Sequence, residues 1–97
     1  MLLVIDVGNS NNVIGLFSEK KLLSHWRIRT EWNRTADEYW VLFKEFVQSS
    51  NVEPDNIDDI VIACVVPSLV PVLQEMAKKY FSSEPLIVGP GIKTGIS

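Results

Sequence analysis

The sequence predicts an α/β domain built on a mixed five-stranded sheet, with the chain order βββαβαβ. Three strand-like segments joined by tight turns come first, which indicates an antiparallel meander. Two amphipathic helical segments then alternate with two further strand-like segments. Strands that are connected through a helical crossover run parallel to their neighbours, so the later strands are expected to be parallel. Helices packed on a mixed sheet are therefore the predicted architecture.

The three amino-terminal strands show two kinds of pattern. Residues 2–7 are apolar except for Asp6, which predicts a buried strand, and residues 12–17 form a second short strand. Polar residues at 8–12 and 18–21 fit the two turns between strands. The third strand, from Leu22, alternates between two faces. One face carries Ser24, Trp26, Ile28 and Thr30, and the other carries His25, Arg27 and Arg29.

The helices are predicted from capping residues and from apolar periodicity. Thr35 and Glu38 form a capping box, and the apolar repeat behind them predicts a helix over residues 36–48. A β-branched run over 59–66 predicts a central strand, a second helix begins at 67–68, and residues 86–88 form a last strand. The predicted buried residues are Tyr39, Leu42, Phe43, Phe46 and Val47 in the first helix, and Leu69, Leu73, Met76, Ala77 and Tyr80 in the second.

Composition excludes several classes of protein. The chain has 97 residues and a net charge of -3, and no basic stripe is visible, which argues against nucleic acid as the main partner. No apolar run is long enough to span a membrane, and the amino terminus does not have the pattern of a signal peptide. The single cysteine, Cys64, lies in an apolar run and is predicted to be a buried core residue. The length suits one small domain, and we expect a fragment or an isolated lobe of a larger enzyme.

The turn that follows the first strand is the first candidate site. Asp6 is a carboxylate at the end of a buried strand, where it needs a metal ion, an arginine, the turn amides or solvent to stabilise it. Gly8 allows the backbone to come close to a ligand or to take a positive φ, and residues 9–12 are small and polar. Successive N–H groups of such a turn can hold phosphate oxygens, with Asp6 holding Mg²⁺. An ordinary hairpin turn has the same composition, so the residues alone leave both interpretations open.

Other residues give weaker indications. The segment GPGIKTG at 89–95 is not a P-loop, because Ile92 separates Gly91 from Lys93. It is either a loop that meets an anion or a plain connection. His25 has no partner at ligand spacing, so it does not predict a metal site. The remaining candidates are interpreted as packing residues (Trp26, Trp32 and Trp40) and as a solvated face or a subunit contact (Arg27 and Arg29).

Four sequence blocks, taken together, carry a family resemblance. They are DVGNSN at 6–11, NRTADEY at 33–39, VVPSL at 65–69 and YFSSEPLIVGPGIKTG at 80–95. In this order and spacing they resemble the amino-terminal part of the type III pantothenate kinases. The resemblance runs over nearly the whole chain. It implies that residues 1–97 form the first ribonuclease-H-like lobe of a two-lobed kinase of the acetate kinase, sugar kinase, Hsp70 and actin superfamily.

The resemblance also implies a function and a set of site residues. Such kinases phosphorylate pantothenate in the first step of coenzyme A synthesis, with ATP, Mg²⁺ and a monovalent cation (K⁺ or NH₄⁺). They are cytoplasmic and usually homodimeric. The phosphate-binding motif of the family maps onto eight consecutive residues, with Asp6 as the metal ligand. These residues are Asp6, Val7, Gly8, Asn9, Ser10, Asn11, Asn12 and Val13.

The chain departs from the family pattern in what it lacks. The catalytic base of the family is an Asp in a Gly-Ala-Asp-Arg segment, which is expected after Ser97 and is not in these residues. No catalytic residue is therefore assigned here, and the 97 residues alone are expected to be inactive. Two rivals stay open. One is a phosphotransferase or phosphatase of the same superfamily with another substrate, and the other is a non-catalytic regulatory or accessory relative.

Overall fold

A computed structural model describes residues 1–89 of the chain. The three amino-terminal strands are β1 (Leu2–Val7), β2 (Asn11–Ser18) and β3 (Lys21–Arg29). Helix α1 (Ala36–Ser49), strand β4 (Asp59–Cys64), helix α2 (Val70–Phe81) and strand β5 (Leu86–Val88) follow. Short 3₁₀ turns at Pro54–Asn56 and Pro67–Leu69 precede β4 and α2. The predicted element order βββαβαβ is confirmed.

The five strands form one mixed sheet in the order β3-β2-β1-β4-β5. The first three strands are antiparallel neighbours, while β4 is parallel to both β1 and β5. Strand β1 is therefore central, and its Val7 lies opposite Asn12 on one side and Cys64 on the other. This arrangement brings the carboxyl end of β1 and the first turn to the same edge of the sheet as the end of β4.

Both helices pack on one face of the sheet, and the alternation of side chains along β1 shows the difference between the faces. Leu3, Ile5 and Val7 are fully buried in the core under the helices. Asp6 points to the opposite face, which no helix of the described residues covers, and it is exposed. We call this second side of the sheet the open face. Successive side chains of a strand point to opposite faces of the sheet, so each strand contributes residues both to the core and to the open face.

Helix α1 begins at its predicted residue. The Thr35 hydroxyl accepts a hydrogen bond from the Glu38 N–H at 3.2 Å, and Glu38 Oε1 accepts one from the Thr35 N–H at 2.9 Å. The bond from the Thr35 N–H is the largest of the causes that lower the pKa of Glu38. The predicted capping box is thus present in full, and it satisfies two donors that a helix start otherwise leaves free.

Helix α2 differs from the prediction in its first residue and in one of its buried residues. A 3₁₀ turn occupies Pro67–Leu69, so the α-helix begins at Val70. Phe81 is buried where Tyr80 was expected, and Tyr80 is only half-buried. The Tyr80 ring stacks on Trp40 with the ring centroids 4.8 Å apart, and its hydroxyl donates to Asp37 at the surface. Tyrosine keeps its polar tip near solvent, which explains why Phe81 takes the core position.

Strand β4 ends two residues before its predicted end. Its ladder with β1 stops at the pair of Val7 and Cys64, and one more bond joins the Val65 N–H to the Val7 carbonyl at 3.0 Å. Beyond Val7 the first strand turns away, so Val65 and Val66 have no partner strand there. Cys64 is buried as predicted, and burial raises the pKa of its thiol.

Candidate functional site

The first turn is a tight hairpin whose tip consists of Asn9 and Ser10. The Gly8 N–H donates to the Asn11 carbonyl at 2.9 Å, which closes the turn. Asn9, Ser10 and Asn11 are all exposed. Within residues 1–89, neither the Asn9 nor the Ser10 N–H has a hydrogen-bond partner. The turn therefore presents free N–H donors and polar side chains to solvent, which is the chemistry that phosphate oxygens require.

Asp6 lies at the end of β1 on the open face. We expected its carboxylate to need a partner in a buried strand, but the side chain is exposed although the strand around it is buried. In the described part of the chain Asp6 has no salt bridge and no side-chain hydrogen bond. Of the four alternatives, an arginine and the turn amides do not pair with Asp6 in the described residues, which leaves solvent and a metal ion. An unpaired carboxylate is a fitting oxygen ligand for Mg²⁺ with its bound waters, and the free N–H groups of the turn suit the phosphate oxygens.

A shallow cavity of about 300 Å³ lies on the open face, with Asp6 at one edge. His25 lines the same cavity from the edge strand β3, opposite Gly15 in the register of the sheet. Arg27 and Arg29 lie further along the same face and are exposed, as their alternation predicted. The cavity combines an apolar floor with one carboxylate and one imidazole. Its lining residues are Val4, Asp6, Val13, Gly15, Phe17, Leu22 and His25.

Beneath the turn is a buried hydrogen-bond network that sequence reasoning missed. Thr30 is 6% exposed, and its Oγ1 lies 2.8 Å from the Gly8 carbonyl oxygen and 2.6 Å from the Asn12 amide. The other end of that amide lies 3.4 Å from the Tyr39 hydroxyl in α1. The only available signal was a hydroxyl residue in line with the inward positions of the third strand, directly after Arg29, and nothing local indicated what it would contact.

The eight predicted binding residues do not share one environment. Asp6, Asn9, Ser10 and Asn11 are exposed, whereas Gly8 and Val13 are half-buried. The side chains of Val7 and Asn12 are fully buried and point to the helix side. The exposed members are brought together around the turn. Val7 and Asn12 can serve a ligand only by supporting the backbone that meets it.

Gly8 is needed for a close approach within the turn itself. A Cβ atom at this position would lie 3.2 Å from the Asn11 carbonyl oxygen, which is a backbone atom of the same hairpin. The Gly8 backbone does not lie in the left-handed region, so the predicted positive φ is wrong, and the predicted close approach to a ligand stays a prediction.

One sequence indication lies mostly outside the described residues. Gly89 is the last described residue, so the rest of GPGIKTG, with Lys93, lies outside the described residues. Among residues 1–89, no helix is long and apolar enough to cross a membrane.

Comparisons with known proteins add an independent line of evidence. The model of the family described as type III pantothenate kinase matches residues 2–97. A type III pantothenate kinase from Citrifermentans bemidjiense is 46% identical over 96 residues, which is 99% of this chain and 38% of that protein. One from Listeria innocua is 46% identical over 97 residues, or 100% of this chain and 38% of its own length. The chain thus spans less than half the length of these curated relatives.

Solved structures bear on the fold. The crystal structure of an ROK hexokinase from Thermus thermophilus has a TM-score of 0.64 to this chain at 12% identity. It covers 91% of this chain, which corresponds to 34% of the hexokinase chain. At this identity the similarity shows the fold alone. It confirms the predicted ribonuclease-H-like architecture, with a five-stranded mixed sheet and helices packed on it.

Proposed function

This chain belongs to the type III pantothenate kinase family, and from that premise we propose that the whole protein transfers the γ-phosphoryl group of ATP to pantothenate. The family match supports the reaction class, and the site geometry supports the part that this segment plays. The observation that carries the proposal is the exposed, unpaired Asp6 beside the free N–H groups of the turn at residues 8–11. An anion and its metal ion could both be bound at that edge of the sheet.

The proposed role of the turn follows from its donors. Phosphate oxygens accept hydrogen bonds from the N–H groups of Asn9 and Ser10 and from the exposed side chains around them. The Asp6 carboxylate holds Mg²⁺, directly or through water, and when bound this ion neutralises charge on the phosphates. In phosphoryl transfer the work of the protein is mostly positioning and electrostatic stabilisation. This segment would supply that positioning for the nucleotide.

The chemical step itself needs a group that lies elsewhere. The primary hydroxyl oxygen of pantothenate forms a bond to the γ-phosphorus, the bond from that phosphorus to the ADP oxygen breaks, and the hydroxyl proton passes to a base. In the family pattern this base is an Asp beyond Ser97. The predicted homodimer, the monovalent cation and the cytoplasmic location likewise remain predictions from the family resemblance.

One assay with three proteins tests both parts of the proposal. ATP-dependent phosphorylation of pantothenate is measured for the full-length protein, for its Asp6→Asn variant and for residues 1–97 alone. We expect Asp6→Asn to lose at least about 100-fold in kcat/KM for ATP, because an amide cannot replace the charge of a metal-binding carboxylate. The control is Asp55→Asn, which changes an exposed carboxylate in the 3₁₀ turn at Pro54–Asn56.

The outcomes separate the claims. Full activity in Asp6→Asn would refute the role of that carboxylate, and strong activity in residues 1–97 would refute the claim that the chemistry needs further residues. Glucose and N-acetylglucosamine are tested beside pantothenate. Phosphorylation of a sugar in place of pantothenate would favour another phosphotransferase of the superfamily, and no ATP turnover with any of them would favour the non-catalytic alternative.

A further inference from the structure

The turn at residues 8–11 follows the last paired residues of its two strands, Val7 and Asn12. Within residues 1–89, the one backbone hydrogen bond inside this turn runs from the Gly8 N–H to the Asn11 carbonyl at 2.9 Å. The carbonyl groups of Gly8 and Ser10 therefore need donors from outside the hairpin.

Thr30 provides these donors from the neighbouring strand. Its N–H donates to the Ser10 carbonyl at 2.9 Å, and its Oγ1 donates to the Gly8 carbonyl at 2.8 Å. One residue thus binds two carbonyl groups of the turn, and it does so from a position that is almost fully buried. We propose that Thr30 is a positioning residue that fixes the turn so that its N–H donors face a nucleotide phosphate. This inference rests on the proposed function.

The geometry of the peptide bond links the Thr30 contact to the ligand side. In a trans peptide, the carbonyl of one residue and the N–H of the next point in opposite directions. The Gly8 carbonyl points to Thr30, on the helix side of the sheet, because Thr30 and Asn12 are both buried there. The Asn9 N–H is therefore directed away from the core, toward the side on which Asp6 is exposed.

Asn12 and Tyr39 complete the support. The Thr30 Oγ1 lies within donor distance of two acceptors, the Gly8 carbonyl at 2.8 Å and the Asn12 Oδ1 at 2.6 Å, and its single proton can serve either of them. The Asn12 Nδ2 group donates to the Tyr39 hydroxyl at 3.4 Å. The chain of contacts therefore runs from α1 through Asn12 and Thr30 to the turn.

Three variants of the full-length protein test the proposal. Thr30→Val keeps the shape of the side chain and removes the hydroxyl, Thr30→Ser keeps the hydroxyl, and Ser24→Ala is the matched control. Ser24 lies in β3 on the side that Thr30 continues after Arg29, and its hydroxyl contacts the Ser50 hydroxyl at 2.8 Å, far from the turn. The measurements are KM for ATP, KM for pantothenate and the hydrogen-exchange protection of the Gly8 N–H, which closes the turn.

We expect Thr30→Val to raise KM for ATP about tenfold and to lower Gly8 protection by a similar factor, the usual effect of one buried unsatisfied group. KM for pantothenate should stay at the wild-type value, because a general loss of folding would change both constants and a local change of the turn would not. Thr30→Ser should restore ATP binding, and Ser24→Ala should leave all three measurements unchanged. An unchanged KM for ATP in Thr30→Val, or an equal rise of both KM values, would overturn the proposal.

Two further measurements cover the cases in which Thr30→Val does not fold or the protein does not phosphorylate pantothenate. If Thr30→Val does not fold, Tyr39→Phe takes its place, because it keeps the core ring and removes only the hydroxyl that holds Asn12. It should raise KM for ATP and not KM for pantothenate, and the absence of any effect would count against the network. If the wild-type protein does not phosphorylate pantothenate, the proposed function fails, while Gly8 protection in the variants still shows whether Thr30 holds the turn.

Discussion

The cost of adding a side chain at Gly8 or Gly15 depends on which atom the new Cβ would meet. A Cβ at Gly8 would lie 3.2 Å from the Asn11 carbonyl oxygen, and a Cβ at Gly15 would lie 3.1 Å from Phe17 Cε1. The distances are similar, but the neighbours differ. The carbonyl belongs to the hairpin backbone and cannot move without opening the turn, whereas the half-buried Phe17 ring can rotate away. Backbone crowding is therefore expected to be costly at Gly8 and not at Gly15.

We accordingly expect Gly8→Ala to lower the free energy of unfolding by about 1–2 kcal/mol, the common cost of forcing a methyl group into a filled space. Gly15→Ala, the matched control, should change it by less than about 0.5 kcal/mol. Urea denaturation of both variants followed by circular dichroism provides the measurement. Equal losses in the two variants would show that the Asn11 carbonyl has no special part in the turn.

At the scale of elements, local patterns predicted nearly all of the secondary structure. Helix α1 was predicted within one residue because its capping box and its apolar period are both local. Strand β4 was predicted two residues too long, because its end depends on where β1 turns away, and the residues of β4 do not carry that information. Tyr80 was predicted to lie in the core for a related reason. Helical periodicity within α2 does not show that the Tyr80 hydroxyl can donate to Asp37 at the surface.

The start of α1 offers a test at this scale. Thr35→Ala removes the hydroxyl that accepts from the Glu38 N–H, and we expect a loss of about 1 kcal/mol in the free energy of unfolding at neutral pH. Thr35→Ser keeps the hydroxyl and is the control. The measurement is urea denaturation at several pH values.

The pH dependence of this loss has a definite sign. The folded pKa of Glu38 lies below its value in the unfolded chain, so the contribution of its carboxylate is present above the unfolded pKa and disappears as the pH falls through the folded pKa. Wild-type α1 therefore loses part of its cap in acid, and Glu38→Gln, which does not titrate, should lose less. A wild-type protein that kept its full advantage over Glu38→Gln at low pH would contradict this account of the cap.

At the scale of the whole molecule, the sequence indicated a candidate site at the first turn but not how that turn is supported. The polar turn after a buried strand was visible in residues 6–12, and the structure places the exposed members of that set together. The support from Thr30 was not visible, because it joins residues 22 positions apart through the pairing of β2 with β3. The sequence also did not show which face of β1 the helices would cover. Asp6 is exposed because the helices cover the other face.

One face of β1 therefore builds the core, and the other carries the proposed ligand-binding carboxylate. Substitutions on the two faces should have different effects on stability. Leu3 is fully buried under the helices, so Leu3→Ala should lower the free energy of unfolding by about 2–5 kcal/mol. Asp6 is exposed and unpaired in the described residues, so Asp6→Asn should change it by less than about 0.5 kcal/mol. Urea denaturation of the 97-residue chain measures both. A loss in Asp6→Asn as large as that in Leu3→Ala would mean that the carboxylate helps hold the fold, and its exposure on the open face would then no longer argue for a ligand.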